Sequence, residues 1–242
     1  MSTRASYLAK AYDLGVEGAP PLEFKGVDLI EKPDHPDHRV ELSIEPGSVT
    51  AIIGDEDSGV GDIGHFALGF DRPPSGEILV FGTAIATLPY DKLLMFRRRL
   101  GYLQVGDGLL QNLNLRANIG LPLQYASDHR VKEVTTRVDE LLLSFRLDHV
   151  ADKRPAQANE EERRRSAVAR AVSLDPELLI LEAPFDGLTS RAGKELLEDV
   201  RTRSGGTPRT VVITAQDLGP AVRPLIGRVV RLVDGLAVEG EE

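Results

Sequence analysis

The 242-residue chain has no cysteine and no tryptophan, and only 5% of its residues are aromatic. Without cysteine there is no disulfide framework, no thiolate nucleophile and no sulfur-bound metal. No apolar run approaches the roughly 18 residues needed to cross a bilayer. The first residues, MSTRASYLAKAYDLGVEGAPP, contain no apolar core of signal-peptide length. An excess of positive charge is also missing. The formal net charge is −9, which argues against nucleic acid or an anionic membrane surface as the main partner. The expectation is a cytoplasmic chain, with peripheral docking at the inner face of the cell membrane as its variant. The length suits one large domain, or one domain with an inserted subdomain.

What is present is a succession of short apolar runs and amphipathic segments. After a leader (1–21), strand patterns cover Leu22–Ile30, Arg39–Ile44, Val49–Ile53 and Glu77–Phe81, and helix patterns cover Val60–Gly69 and Tyr90–Arg99. From Gly106 to Leu174 the pattern is mainly helical, with Val134, Val138, Leu141, Leu142 and Phe145 on one face of a helix over Val131–Leu147. A second long helix is expected over Glu160–Leu174. Strand and helix then alternate: Leu178–Leu181, Ser190–Arg203, Thr210–Thr214, Leu218–Leu225 and Arg228–Val233. This order predicts an α/β fold with a mostly parallel sheet and a helical block (about 106–174) inserted in a domain spanning 22–242.

One stretch invites chemistry. IIGDEDSGVGD (Ile52–Asp62) follows an apolar strand and spaces its glycines, Gly54 and Gly59, like a phosphate-binding loop. Its variable positions are Asp55, Glu56, Asp57 and Ser58. Taken alone it reads as a solvated acidic turn before it reads as a phosphate site.

The order of segments resembles the ATP-binding cassette (ABC) ATPase domain over about 22–238. LGYLQVGDGLLQNLNLRANIGLPL looks like the glutamine-loop region, SAVARAV like the helix behind the signature motif, DPELLILEAPFDGLT like the Walker B and D-loop, and VVITAQDL like the histidine-loop strand. The flavour is that of ATPase subunits of bacterial lipid or lipoprotein transporters, including the MCE type. The resemblance implies a P-loop NTPase-like fold with an antiparallel β part. It also implies a site built from motif positions, several of which differ here. Val60 stands at the Lys place and Gly61 at the Ser/Thr place of the P-loop. Ala158, Asn159, Glu160, Glu161 and Glu162 stand at the signature motif. Glu182 takes the Walker B Asp place and Ala183 that of the catalytic Glu. Thr189 replaces the D-loop Asp, Gln216 the histidine, and the loop glutamine falls at Val105 or Gln104. No Tyr or Phe occupies Glu31–His35, where an adenine-stacking ring is expected.

These positions lead to the expectation of a catalytically inactive subunit, not an enzyme, holding neither cofactor nor metal. Carboxylates (Asp57 or Asp62, and Glu160 or Glu161) would occupy the helix termini where phosphate otherwise sits. Such a chain would be a structural or regulatory partner in an ABC transport system. It would form an ABC-type dimer with itself or with an intact ATPase subunit, and would meet a permease through about Gly106–Tyr125. The apolar residues of that stretch, Leu109, Leu110, Leu113 and Leu115, serve equally as core. The alternative is a divergent ATP-binding subunit that takes magnesium-ATP on backbone amides and hydrolyses it to drive transport. A third reading is a free-standing module whose acidic groove takes a basic peptide or cation. Asp34–His38 (DHPDH) reads as a polar loop before a metal site, and Arg97–Arg99 and Arg163–Arg165 read as helix flanks paired with acids.

Overall fold

The computed structural model describes residues 14–30, 39–126, 131–233 and 236–239. The Asp34–His38 loop and the Glu31–His35 stretch lie outside the described residues. The strands are β1 (Leu22–Asp28), β2 (Val40–Ile44), β3 (Val49–Ile53), β4 (Ser75–Val80), β5 (Leu100–Leu103), β6 (Leu178–Glu182), β7 (Thr210–Ala215), β8 (Arg228–Val233) and β9 (Leu236–Glu239). The helices are α1 (Ile63–Ala67), α2 (Tyr90–Arg97), α3 (Leu115–Tyr125), α4 (Val131–Ser144), α5 (Glu160–Ala171) and α6 (Ser190–Val200). Six strands form one sheet in the order β5-β6-β7-β3-β8-β9, parallel except for the antiparallel β9. A second, antiparallel sheet has the order β2-β1-β4.

The pleat of the large sheet divides the interior in two. Successive strand residues point to opposite faces. Val49, Ala51 and Ile53 of β3 therefore join Leu179, Leu181, Val211 and Ile213 under the helices α3–α6. Ile52, Ile180, Val212 and Val230 pack on the other face against the antiparallel sheet, α1 and α2. β3 is buried along its whole length, as a continuous apolar run between two parallel neighbours should be. The periodicity of α4 is realised: Val138, Leu141, Leu142 and Phe145 are buried and Val134 packs against them.

Some expectations change. The segment Leu218–Leu225 forms no α-helix but turns ending in a 3-10 turn at Arg223–Leu225, because Pro220 and Pro224 each remove a backbone donor. The helix expected over Val60–Gly69 divides into a 3-10 turn (Val60–Asp62) and the short α1. β5 and β9 add strands at the two edges of the large sheet that the sequence pattern did not announce.

Helix ends are tied down locally. The α5 start is a capping box: the Glu162 N–H donates to Asn159 Oδ1 at 2.8 Å and the Asn159 N–H donates to the Glu162 carboxylate at 2.9 Å. Thr189 caps α6 by accepting from the Ala192 N–H at 3.2 Å. A buried polar network joins α5 to α6. Arg165, with a 5% exposed side chain, meets Glu161 at 2.8 Å, Glu195 at 3.0 Å and Asp199 at 3.6 Å.

Candidate functional site

The parallel strands β5, β6, β7 and β3 all end at one edge of the large sheet. The registers Ile53↔Ala215 and Glu182↔Thr214 put the ends of β3, β7 and β6 side by side. Crevices outside the carboxyl ends of parallel strands are the usual ligand sites of open α/β sheets. Four segments emerge there: 54–62 after β3, 183–189 after β6, Gln216 after β7, and 104–109 after β5.

The loop 54–62 is wound tightly on itself. Ser58, 2% exposed, donates its hydroxyl to the Asp55 carbonyl at 2.7 Å and accepts from the Val60 N–H at 3.3 Å. The Ser58 N–H donates to the Asp55 carbonyl at 3.1 Å, and the Asp62 N–H to the Gly59 carbonyl at 3.1 Å. A side chain at Gly54 would strike Ser58. Gly59, with φ +78°, lies against Leu29 and Ile30, where a Cβ would again collide. These two glycines are therefore dictated by close approach and by backbone conformation. Val60 is 6% exposed and belongs to the core beneath the loop. The Val60 side chain thus packs inward.

This geometry corrects the expectation that anions fill the amide pockets. Asp55, Glu56, Asp57 and Asp62 are all exposed, and neither Asp55 nor Asp62 makes a side-chain cap. Turn carbonyls and the Ser58 hydroxyl take the Ser58, Val60 and Asp62 amides instead, a shorter-range solution than bending a carboxylate back over three residues. At the start of α5 the cap is Asn159 with Glu162. Glu160 is placed against Gly187 of the 183–189 loop, and Glu161 is held by Arg165. The contacts of Asn159, Glu160 and Glu161 run within α5 and to α6 and its preceding loop, not to 54–62.

Glu182 ends β6 with its side chain buried. Tyr102 donates its hydroxyl to one carboxylate oxygen at 2.7 Å and the Val105 N–H donates to the other at 3.1 Å. Burial pushes the Glu182 carboxyl above the usual carboxylate range, with the two hydrogen bonds pulling the other way. Burial and the bond to Glu182 push the Tyr102 phenol upward as well. Ala183 follows with φ +43°, and its N–H donates to the Thr214 carbonyl at 2.7 Å. Gln216 is exposed just past β7, and Thr189 serves as the α6 cap. Gln104 and Val105 are both exposed at the start of the 104–109 loop.

Two features were not read from the sequence. Asn118 is fully buried, accepts from the Leu110 N–H at 2.7 Å, and donates to the carbonyls of Leu110, Leu113 and Asn114 at 3.1, 3.3 and 3.0 Å. It organises the whole approach to α3. A polar residue inside an apolar helix face was the available signal. The second is the grip of the α5 arginines on the 104–109 loop. Arg163 reaches the Asp107 carboxylate at 3.0 Å, Arg164 the Gly106 carbonyl, and Arg170 the Gly108 and Asp107 carbonyls at 2.8 and 3.1 Å. The expectation of acid pairing holds for Arg163 and Arg165, while Arg164 serves main-chain carbonyls. Arg97 likewise donates to the Leu68 and Gly69 carbonyls at the end of α1, and Arg99 pairs with Glu177 at 2.5 Å. Of Leu109, Leu110, Leu113 and Leu115, Leu109 and Leu115 are buried in the helical core and Leu110 is exposed.

Comparison with known proteins places this geometry. The family described as ABC transporter matches residues 38–186. The sulfate/thiosulfate import ATP-binding protein CysA of Nephroselmis olivacea is 32% identical over 183 residues, 75% of this chain and 51% of that protein. The methionine import ATP-binding protein MetN of Bordetella pertussis is 32% identical over 203 residues, 83% of this chain and 55% of that protein. The lipoprotein-releasing system ATP-binding protein LolD of Colwellia psychrerythraea is 29% identical over 81% of this chain and 75% of that protein. The chain thus spans about half the length of CysA and MetN. The dimeric ATP-binding cassette MJ0796, bound to ADP and Pi, superposes with a TM-score of 0.78 at 24% identity, covering 91% of this chain and 98% of that one.

The expectation of a non-enzyme is corrected by these findings. The family match runs through both 54–61 and 182–183, and the relatives are named as ATP-binding proteins. What falls is the step from the side chains at those places to inactivity, because a phosphate loop also works through main-chain N–H groups and helix termini, which side-chain identity leaves in place. With sheet, crevice and relatives in agreement, the chain belongs to the ABC transporter family.

Proposed function

We propose that the chain is a divergent ATP-binding subunit of an ABC transport system, which binds ATP at the 54–62 loop and hydrolyses it to drive transport. One observation carries the reading: a glycine-bounded loop joins the buried central strand β3 to α1 at the edge where the parallel strands end. Main-chain N–H groups of that loop would meet the phosphates, with Val60 anchoring the loop from below. A resident metal does not fit the side chains present. Both Glu182 oxygens are engaged and Gly61 offers no hydroxyl. No cluster of metal-ligating side chains occurs among the described residues. Magnesium would therefore arrive as part of the nucleotide substrate.

The subunit works as a dimer in this reading, as the dimeric state of MJ0796 supports. Docking on a permease runs through 106–125, where Leu110 and Tyr125 are exposed. Among the described residues no helix is long and apolar enough to cross a membrane, so anchoring would be peripheral, at the inner face of the cell membrane. The relatives are named for sulfate, methionine and lipoprotein. Lipid or lipoprotein cargo is one case among these, and co-purification of a permease identifies it. The reading is tested by phosphate release from magnesium-ATP, measured on the pure chain and with its co-purified permease. Turnover above a no-protein control supports it. Absence of turnover in both preparations sinks it.

A further inference from the structure

The Glu182 carboxylate stands where three elements meet. Tyr102 of β5 donates to it at 2.7 Å, and the Val105 N–H, the first amide of the 104–109 loop, at 3.1 Å. Its third neighbour is Gly64 of α1, where a Cβ would collide with both the Tyr102 ring and the carboxylate. α1 is the continuation of the 54–62 loop. The 104–109 loop is also gripped from its far side: Arg164 of α5 donates to the Gly106 carbonyl, and Arg170 donates to those of Asp107 and Gly108. Val105 itself is 67% exposed, so packing does not fix it.

We propose that Glu182 is a positioning residue that couples the 54–62 loop to the 104–109 loop. Gly64 sets the seat of the carboxylate, the carboxylate sets the first amide of the second loop, and Arg164 and Arg170 carry that position into α5. A displacement of α1 on ligand binding thereby reaches the helical block through one side chain. That consequence rests on the nucleotide reading above, whereas the coupling itself belongs to the ligand-free chain.

The test is residue-resolved hydrogen exchange on the full chain without nucleotide. Glu182→Ala removes the acceptor, and Gly64→Ala displaces it. Each speeds exchange of the Val105 amide by about tenfold or more, the lower range for a hydrogen bond to a charged acceptor. Amides of Leu179–Leu181 stay unchanged. The double variant exchanges no faster than the faster single one, because both changes break the same contact. Glu182→Gln keeps one acceptor oxygen and restores most of the protection. An unaltered Val105 amide in either single variant, or effects that multiply in the double, overturns the proposal. Should Glu182→Ala not fold, Gly64→Ala compared in the Glu and Gln backgrounds gives the same decision: its effect must shrink with Gln. Because no nucleotide is present, failure here is separate from failure of the ATP reading.

Discussion

Arg165 is the place where a single side chain holds two helices. Its guanidinium is buried, with carboxylates of Glu161, Glu195 and Asp199 at 2.8, 3.0 and 3.6 Å. Truncation to Ala removes the cation and leaves those anions facing one another between α5 and α6. Breaking a buried ion pair by removing one partner costs about 3–5 kcal/mol. The figure is lowered here because Arg146 lies 2.7 Å from Asp199 and stays behind. Glu161 is also partly solvated. A cost of about 2–3 kcal/mol remains for Arg165→Ala. At about 2–4 °C per kcal/mol for a domain of this size, the melting midpoint falls by about 4–12 °C. Urea unfolding followed by circular dichroism, with a matched thermal scan, measures it. Arg191→Ala is the control: that side chain is 90% exposed and pairs with Glu195, so its midpoint should not move. If Arg165→Ala unfolds at the same urea concentration as the parent, the network does not join α5 to α6 energetically and the reasoning is wrong.

Other outcomes follow from the same geometry. Asn118→Ala leaves the Leu110 N–H and its neighbouring carbonyls without their buried partner and costs about 2–4 kcal/mol, read as a lowered urea midpoint with exchange accelerated across 110–114. Ser58→Ala deletes the hydroxyl that bridges Asp55 and Val60. It costs about 1–2 kcal/mol, and the Val60 amide loses protection. The Glu182 carboxyl is raised above its ordinary 4.5 in the folded chain, so the folded state binds more protons than the unfolded state between 4.5 and the raised value. Stability contributed by this group therefore falls as pH rises through that window, and Glu182→Gln should flatten this part of the curve of urea midpoint against pH.

The alternation of the apolar runs was enough to place β3, β6 and β7, because strands buried on both faces read as near-continuous aliphatic segments, and β8 through its buried Val229, Val230 and Leu232. α4 was legible for the complementary reason, a regular apolar stripe at helical spacing. β5 was hidden by its shortness and by the basic residues before it. The Leu218–Leu225 segment misled because its leucines and valine keep helical spacing while Pro220 and Pro224 deny the hydrogen bonds. Within the site, the order of loops could be read, but the direction of side chains could not. Nothing in DEDS distinguishes acids that cap amides from acids that leave that task to Ser58. That choice depends on how closely Gly54 approaches the serine in three dimensions. The role of Glu182 was equally hidden, since its partners Tyr102 and Val105 are some 80 residues away.

The central claim is that the loop after β3 still takes a nucleotide on its main chain. Isothermal titration of the full chain with magnesium-ATP tests it most directly. The account predicts saturable binding with a dissociation constant below about 1 mM, equivalent to roughly 4 kcal/mol, weakened in Gly54→Ala, whose new methyl collides with Ser58. Heats indistinguishable from dilution throughout the millimolar range would contradict it.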